Sequence, residues 1–409
     1  MLRSLLLASI VALAGPAPAQ DRAAVEQEFQ LWLEQTIWPR AEAAGVSRRT
    51  FDEALGGVEL DWSLPDLVGP GTDAPREQRQ AEFGSPGDYF APGVVEAAAT
   101  AGREMAARHA GILAAVERAT GVPGRIVLAV WGRESGYGRA EIPHDAFAVL
   151  GTKGFMSARA PYFAGELVAA LEIAEAGHVA PGDMRSSWAG ALGQPQFMPS
   201  SFLEFAVDGD GDGVADIWGS EADTLASIGN YLAGAGWVRG RDWGFEVTVP
   251  PAVSCALEGP DQGRPIADWE ALGVARVGGR PFPERERQAV GFLLMPAGRH
   301  GPAFVVTPNF YVLKDYNMSD LYALFVGHVG DRVAFGAGDF AAGWEDVGGL
   351  GRSDVAAMQR ALEAMGHDVG GADGLAGFRT RRAIGRWQEA TGQVATCFPE
   401  PGMAARLAP

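Results

Sequence analysis

The sequence has few basic residues for its length. It carries 33 Lys and Arg against 51 Asp and Glu, so the formal net charge is −18 over 409 residues. Proteins that bind nucleic acid contact the phosphate backbone through clusters of Lys and Arg. This balance argues against a nucleic-acid partner, although it does not identify the partner that the protein has.

Cysteine is scarce as well, since the chain contains only Cys255 and Cys397. The two residues lie far apart in the sequence, in what we interpret as different domains. An exported protein can form a disulfide. The sequence leaves both the paired and the free state open.

Several common signatures of chemistry are missing. The six histidines are scattered without an H-x-x-x-H pair, and no G-x-S-x-G elbow, P-loop or dinucleotide-binding fingerprint occurs. We therefore expect no organic cofactor, and other residue types must carry the function.

Long hydrophobic runs are absent after the N-terminus. The first apolar run covers only roughly 12 residues, whereas a helix that spans a bilayer needs about 20. Arg3 precedes this run and Ala17-Pro18-Ala19 follows it, which is typical of a secretory signal peptide over residues 1–19. No cysteine lies near the cleavage site, so we expect an exported, periplasmic protein without a lipid anchor; the alternative is a buried N-terminal helix.

The spacing of apolar residues predicts a mainly α-helical protein. The segment "RIVLAVWGRE" (residues 125–134) is apolar nearly all round, which predicts a buried central helix. Further helices are expected at about 161–177 and 221–235. Short β-rich runs predict a small inserted β subdomain at about 243–312. Residues 337–350 are rich in glycine and predict a linker, after which two short helices are expected.

Glu134 stands out because it ends the predicted central helix, just before Ser135 and Gly136. Desolvation disfavours a charged carboxylate, and the negative end of a helix dipole acts in the same direction. A carboxyl group that stays protonated near neutrality can act as a general acid. Gly136 and Gly138 would leave space for a bulky substrate. The alternative is an ordinary ion pair with Arg133 or Arg139.

Two further patterns lie in one stretch. Small residues at 189–193 precede Gln196, whose amide could hydrogen-bond a sugar hydroxyl or an acetamido group, or could simply belong to the core. Next come alternate aspartates with a glycine, which match the start of an EF-hand loop and predict a structural Ca²⁺ site over 208–223. Gly219 occupies the position expected for the last acidic ligand, so Glu221 and Asp223 are the candidates to close the site. The predicted ligands are Asp208, Asp210, Asp212, the carbonyl of Val214, and Asp223.

These motifs occur in an order that resembles the membrane-bound lytic murein transglycosylase B family. The resemblance covers about residues 22–335 and rests on "WGRESGYGR", "PYFAGEL", "AGALGQPQFMPSSF", "DGDGDGVADIW", "IGNYLAGAGW" and "PNFYVLKDYN", with "RQAEF" at 79–83 similar to an upstream strap. The segment that contains "DVAAMQRALEAMGHDVGGADG" is similar to a small helical peptidoglycan-binding domain. The implied domains are a lysozyme-like α-helical catalytic domain over 20–336 and a peptidoglycan-binding domain over 351–397.

The resemblance implies a non-hydrolytic cleavage of peptidoglycan strands. Glu134 would be the single general acid/base that cuts the β-1,4 bond from N-acetylmuramic acid to N-acetylglucosamine and leaves 1,6-anhydromuramic ends. The residues implied to bind the glycan are Arg159, Ser187, Gln196, Tyr231, Tyr316, Asn317 and Tyr322. Tyr231 and Tyr322 have the alternative of being core aromatics. Ala158 stands where the family often has a first arginine beside Arg159, which implies a weaker contact with an anionic peptide stem.

Two other functions stay open at this stage. A hydrolytic muramidase would need a second carboxylate with a water molecule between, and Asp145 and Glu166 are the nearest candidates in sequence. A non-catalytic scaffold that binds the cell wall would not need Glu134. We expect a monomer in each case.

Overall fold

The computed structural model describes residues 19–69, 86–348 and 350–407, with side chains from residue 22 onward. The predicted signal peptide over 1–19 and the "RQAEF" segment at 79–83 lie outside the described residues, apart from residue 19. The chain forms two compact units. The described residues up to 69 and His144–Gly190 form the first unit, and the remainder forms the second. As predicted, the secondary structure is mainly α-helical.

The first unit is built from helices and one short strand pair. Its last two helices pack against each other, and the rings of Phe29, Trp32 and Phe155 contact one another with centroids 5.6 to 5.9 Å apart. Strands β1 (His144–Asp145) and β2 (Arg185–Ser186) pair antiparallel. The helices are α1 (Ala19–Trp32), α2 (Trp38–Ala43), α3 (Arg48–Leu55), α7 (Ala146–Phe155) and α8 (Ala160–Glu175), with a π-helical turn at Leu33–Ile37 between the first two.

The second unit surrounds one buried helix, α6 (Gly124–Ser135). Residues 126–131 of this helix are buried, and four other helices of the unit pack around it, which confirms the predicted central helix. Gly136 ends the helix in the left-handed conformation at φ 58°. The other helices of this part are α4 (Pro92–Arg108), α5 (Ala110–Thr120), α9 (Pro199–Phe205), α10 (Glu221–Gly234), α13 (Pro308–Tyr316) and α14 (Asp320–Phe335).

A five-stranded antiparallel sheet with the order β4-β6-β7-β3-β5 lies between α10 and α13 in the sequence. Its strands are β3 (Gly244–Thr248), β4 (Arg264–Pro265), β5 (Ala275–Arg276), β6 (Val290–Leu294) and β7 (Ala303–Val306), with short helices α11 (Ile266–Ala271) and α12 (Glu284–Arg287) between strands. One face of the sheet packs on a core that contains Trp269, Phe282 and both cysteines.

Cys255 and Cys397 form a disulfide. Their separation in the sequence predicts that they lie in different domains, but Cys397 is fully buried in the core of the sheet subdomain. The chain therefore returns to this subdomain after its C-terminal helices, a contact between distant segments that local sequence patterns do not reveal.

The C-terminal segment forms a small helical module with its own core. Its helices are α15 (Arg352–Ala364), α16 (Phe378–Ala390) and α17 (Met403–Leu407), and Met358, Leu362, Ile384 and Trp387 are among its buried residues. Arg381 on α16 is 3% exposed and pairs with Glu258 at 2.8 Å and with Asp320 at 3.1 Å. A buried charge pair thus attaches the module to the rest of the second unit.

The predicted linker has no regular secondary structure where it is described, yet it is not free. Phe340 and Trp344 pack against Phe90, with the Trp344 ring stacked on Phe90 at 5.0 Å. In the part of the chain that the structure describes, no helix combines the length and the apolar character that crossing a membrane requires.

Candidate active site and calcium loop

Glu134 lies one residue before the end of α6 and is partly exposed. Its Oε1 accepts a hydrogen bond from the Tyr322 hydroxyl at 2.5 Å. Burial raises the pKa of Glu134 to about 7, against the opposing effects of the Tyr322 hydrogen bond and of Arg133. At neutral pH the Glu134 carboxyl therefore carries a proton in a large share of the protein molecules.

The two arginines that could neutralise Glu134 point elsewhere. Arg133 donates to the Tyr89 hydroxyl at 2.7 Å and lies over the Tyr89 ring at 4.6 Å. Arg139 donates to the carbonyl of Gly136 at 2.9 Å. Within the described ranges Glu134 forms no ion pair, so the alternative of an ordinary helix-end salt bridge does not hold.

The glycines after Glu134 serve two different purposes. Gly136 has no neighbour near the place of a Cβ, which fits open space beside the carboxyl. At Gly138 a Cβ would overlap the side-chain oxygen of Gln194, so this position needs glycine because of Gln194 and not because of a substrate.

The patterns in the sequence do not indicate the role of Gln194. Its side chain is 8% exposed, accepts from the indole N–H of Trp131 at 2.9 Å, and donates to the carbonyl of Trp218 at 3.0 Å. It thus ties α6 to the loop that precedes α10. The sequence gives no sign of these contacts, because Gln194 stands in the same turn as Gln196 and nothing local distinguishes the two glutamines.

Four aromatic side chains extend from Glu134 to the turn that carries Gln196. Tyr322 is stacked on Tyr316 with centroids 6.4 Å apart, and Tyr316 contacts Tyr231 at 4.7 Å and Phe197 at 5.9 Å. The structure therefore brings the three predicted tyrosines together beside the carboxyl.

The Gln196 turn is held against this aromatic group. The Tyr316 hydroxyl donates to the carbonyl of Pro195 at 2.7 Å, and the side-chain amide of Gln196 donates to Gly193 at 2.9 Å. Gln196 itself has φ 54°, an uncommon conformation for a residue with a Cβ. The turn is constrained and keeps the partly exposed Gln196 side chain at the surface.

The predicted tyrosines differ in how far their side chains are exposed. Tyr322 is 1% exposed and directs its hydroxyl at Glu134, so it acts on the carboxyl and presents no face to a ligand. Tyr231 is partly exposed and donates to the carbonyl of Asp315 at 3.1 Å. Asn317 is exposed at the end of α13, where the chain turns towards α14.

Arg159 and Ser187 belong to the first unit, so each is described there by itself. Arg159 precedes α8, and its guanidinium lies 4.2 Å from the centroid of the Tyr162 ring. Ser187 is partly exposed and its carbonyl accepts from the N–H of Gly190 at 2.9 Å.

The two candidates for a second carboxylate are also in the first unit, and both are engaged. Asp145 caps α7 by accepting the N–H of Ala148 at 2.9 Å. Glu166 is 4% exposed and hydrogen-bonded to Tyr162. Local roles in the fold account for both residues.

The predicted calcium loop brings three carboxylates together. Oxygens of Asp208, Asp210 and Asp212 lie within 4.8 Å of one another on an exposed loop. Asp208 accepts the N–H groups of Gly211 and Gly213 at 2.6 and 2.7 Å, and these backbone bonds lower its pKa. Both glycines have positive φ, as a tight loop around a cation requires. Carboxylate oxygens at this spacing fit a hard divalent cation.

Asp223 does not join these carboxylates. It is 1% exposed, and its two oxygens accept the N–H groups of Gly209 at 2.8 Å and of Asp216 at 2.7 Å. Glu221 lies 3.1 Å from Nε2 of His109. The prediction that Asp223 is the last ligand disagrees with this geometry, because Asp223 holds the two ends of the loop together from inside.

Comparisons with known protein families match two regions of the chain. The model of the transglycosylase SLT domain matches residues 28–331, and that of a putative peptidoglycan-binding domain matches residues 351–403. Membrane-bound lytic murein transglycosylase B of Escherichia coli is 32% identical over 219 residues, which are 52% of this chain and 58% of that protein. The chain thus spans less than two thirds of this relative.

Solved structures extend the similarity. SltB3 from Pseudomonas aeruginosa, in complex with NAG-NAM-pentapeptide, is 37% identical with a TM-score of 0.84. The match covers 93% of this chain and 99% of the SltB3 chain. The Escherichia coli lytic transglycosylase Slt35, in complex with calcium, is 28% identical with a TM-score of 0.51 and covers 61% of this chain and 77% of its own.

Proposed function

The chain belongs to the SLT transglycosylase family, and from this premise we propose that it is a lytic murein transglycosylase. It would act in the periplasm after export and would cleave the bond from N-acetylmuramic acid to N-acetylglucosamine without water. One observation carries the proposal: Glu134 is partly exposed, has a pKa of about 7, and accepts a hydrogen bond from Tyr322.

The reaction needs one group that is first an acid and then a base. With Oε1 engaged by Tyr322, Oε2 of Glu134 is the oxygen that can hold the proton and give it to the glycosidic oxygen as the C1–O bond breaks. The carboxylate then takes the proton of the C6 hydroxyl, and O6 attacks C1 of the same ring. All atoms of the strand stay in the products, and one end carries a 1,6-anhydro ring.

An intramolecular nucleophile makes a second carboxylate unnecessary. The C6 hydroxyl is part of the bound sugar, so it reaches C1 without the loss of freedom that a separate water would suffer. Hydrolytic glycosidases instead use two carboxyl groups. Asp145 and Glu166 have structural tasks in the first unit, which favours the lytic reaction over the muramidase alternative.

The glycan would be held by the exposed polar groups around the carboxyl. Gln196 and Asn317 suit hydroxyl and acetamido groups, and the partly exposed Tyr231 and Tyr316 suit contacts with sugar rings. Arg159 and Ser187 stay predicted contacts from the first unit. Tyr322 is assigned to Glu134 and not to the sugar.

Asp208, Asp210 and Asp212 would hold a Ca²⁺ ion, with the carbonyl of Val214 as a backbone ligand. A relative was solved in complex with calcium, and the converging carboxylates support the same ion here. The ion would stabilise the loop before α10, which carries Tyr231. The C-terminal module, about 351–397, would bind the cell wall, and the protein would act as a monomer on peptidoglycan strands.

Product masses from digested sacculi test the proposal. Wild-type protein should release anhydro-muropeptides, which are one water lighter than hydrolysis products, and Glu134→Gln should bind sacculi but release none. Glu104→Gln, an exposed carboxyl on α4, is the matched control and should behave as wild type. Reducing ends among the products would establish the muramidase instead, and a Glu134→Gln protein with full cellular function would establish the scaffold.

A further inference from the structure

The turn between α13 and α14 carries three residues of the candidate site. Tyr316 ends α13, Asn317 follows it, and Tyr322 lies in the first turn of α14. Tyr322 directs its hydroxyl at Glu134, and the Tyr316 ring is stacked on that of Tyr322. The position of this short turn therefore determines how the tyrosine hydroxyl meets the carboxyl.

The turn itself is exposed, and Met318 at its centre is 79% exposed. The first N–H groups of a helix have no partner within the helix, and helix ends fray. Ser319 supplies one cap, since its hydroxyl accepts the backbone N–H of Tyr322 at 3.3 Å. A second constraint on the start of α14 comes from Asp320, the first residue of that helix.

Asp320 pairs with two cations from different parts of the chain. Its Oδ1 accepts from Nζ of Lys314 on α13 at 2.7 Å, and its Oδ2 accepts from Nη2 of Arg381 on α16 at 3.1 Å. Burial opposes ionisation of Asp320, but the charges and hydrogen bonds of Arg381 and Lys314 outweigh it and lower its pKa. Asp320 is thus an anion that connects the end of α13, the start of α14 and the C-terminal module.

Arg381 makes this contact in addition to attaching the module. Its Nε and Nη2 form a bidentate pair with Glu258 at 2.8 and 3.0 Å, and its Nη1 donates to the carbonyl of Ala376 at 2.8 Å. Glu258 in turn accepts the N–H of Met295 at 3.1 Å. The pair with Glu258 fixes α16 to the sheet subdomain, whereas the further bond from Nη2 reaches Asp320 in the first turn of α14.

The four charges form one largely buried network. Two cations, Lys314 and Arg381, face two anions, Asp320 and Glu258. A bidentate guanidinium fixes direction as well as distance, and a buried polar network whose members are satisfied is rigid. The network therefore favours a single position of the α13–α14 turn relative to the module.

We propose that Arg381 is a positioning residue for the reaction: through Asp320 it holds the first turn of α14, so that the Tyr322 hydroxyl meets Oε1 of Glu134. The C-terminal module thereby contributes to the active site through an arginine that touches no substrate. The inference rests on the proposed function for the reaction that it serves. It makes the state of the Glu134 carboxyl dependent on a contact with a second domain.

Asp320→Ala removes the link and keeps the pair of Arg381 with Glu258. The pKa of Glu134 can be measured without turnover by ¹³C NMR titration of the glutamate carboxyls, the signal being assigned by its loss in Glu134→Gln. A weaker bond from Tyr322 should raise this pKa from about 7 by about 0.5. Loss of a negative charge by itself would instead lower it. A fall or an unchanged value overturns the proposal.

A matched pair of variants isolates Arg381. Glu258→Gln keeps the arginine on Asp320 and should leave the pKa of Glu134 in place. Glu258→Gln combined with Arg381→Met should raise that pKa as Asp320→Ala does, and it leaves no unpaired carboxylate at position 258 that would threaten folding. In a Tyr322→Phe background the added rise should vanish, because the effect acts through that hydroxyl. A rise that persists there would show a purely electrostatic effect and overturn the positioning role.

Kinetics give the readout on the reaction itself. Asp320→Ala should lower kcat about fivefold, as expected when a catalytic group loses its orientation, and should shift the alkaline limb of kcat/KM upward. Asp320→Glu keeps the carboxylate and should restore most of kcat. Arg382→Met, on the same helix as Arg381 but paired with the exposed Asp261, is the control and should match wild type.

The outcomes distinguish the positioning role from the proposed function. If Asp320→Ala raises the pKa of Glu134 while wild-type protein releases no anhydro product, the proposed function is wrong and the positioning role stands. If wild-type protein releases anhydro product but neither the pKa nor the alkaline limb moves in Asp320→Ala, the positioning role is wrong and the function stands.

Discussion

Tyr322 and Glu134, 188 residues apart in the sequence, share a hydrogen bond of 2.5 Å. The tyrosine hydroxyl donates and the carboxyl accepts, so the contact favours the ionised acid and opposes the effect of burial. It also fixes one carboxyl oxygen and leaves the other for the substrate. Burial raises the pKa of Glu134, and the Tyr322 hydrogen bond and the charge of Arg133 together oppose it.

Removal of the donor should therefore move the pH profile in a defined direction. In Tyr322→Phe the pKa of Glu134 rises further, because a group that stabilises the charged form is lost. The alkaline limb of kcat/KM should shift upward, and kcat should fall about tenfold as the carboxyl loses its orientation. Tyr137→Phe, which removes a buried hydroxyl bonded to the carbonyl of Ala98, should leave the limb in place.

The pKa of Glu134 also predicts a pH dependence of stability. The folded-state value of about 7 lies above the ordinary value of 4.5, so the folded protein binds the proton more tightly than the unfolded chain. Stability is thus unaffected below about pH 4.5, falls as the pH rises towards 7, and stays reduced above it. Glu134→Gln should be about 1–3 kcal/mol more stable than wild type at pH 8 and equal to it at pH 4. Urea denaturation at both pH values measures this, and an equal difference at both would contradict the assigned pKa.

Calcium should stabilise the folded protein through the exposed carboxylates of its loop. At a concentration about 100 times Kd the gain is about 2.7 kcal/mol, and a chelator should remove it as a fall in Tm. Asp208→Asn should lose most of this difference. Asp183→Asn, at an exposed site in the first unit, should keep it. If the Tm of the wild type is the same in calcium and in chelator, no ion is bound.

Asp223 should behave differently from a metal ligand. Both of its oxygens accept backbone N–H groups, and an asparagine can satisfy only one of them. We expect Asp223→Asn to cost about 1–3 kcal/mol in the free energy of unfolding, equally with and without calcium. A loss of stability that occurs only in calcium-containing buffer would instead show that Asp223 is a calcium ligand.

The buried pair of Arg381 and Glu258 allows a prediction about the C-terminal module. Arg381→Met would leave Glu258, which is fully buried, without its cation, at a cost of about 3–5 kcal/mol. Arg382→Met breaks a pair with the exposed Asp261 and should cost less than about 1 kcal/mol. Comparable losses for the two variants in thermal denaturation would contradict the role given to the buried pair.

The local parts of this structure could be predicted from the sequence, and the parts that depend on distant contacts could not. The apolar surface of α6 and its glycine end are properties of one segment, so the position of Glu134 on a buried helix followed from them. The loop of alternate aspartates was equally local. The Asp223 clamp was not, since its N–H partners at 209 and 216 are recognised only once the chain has folded.

The dependence on distant contacts also explains why two contacts at the site could not be predicted from the sequence. Nothing near Tyr322 in the sequence indicates that its hydroxyl meets Glu134, and nothing near Gly138 indicates that Gln194 fills the space beside it. A buried aromatic and a substrate-binding aromatic have the same sequence pattern. Only the three-dimensional arrangement distinguishes Tyr322 from the more accessible Tyr231.

The return of Cys397 to the sheet subdomain has a practical consequence for anyone who wishes to shorten the protein. A cut at the glycine-rich segment before residue 351 would discard one half of the disulfide and the arginine that pairs with Glu258. Such a fragment would keep Glu134 and the residues proposed to bind the glycan. It would, however, leave Cys255 as an unpaired thiol and Glu258 as a buried carboxylate without its cation. For expression work, the segment up to Cys397 therefore belongs to the smallest fragment that keeps both contacts.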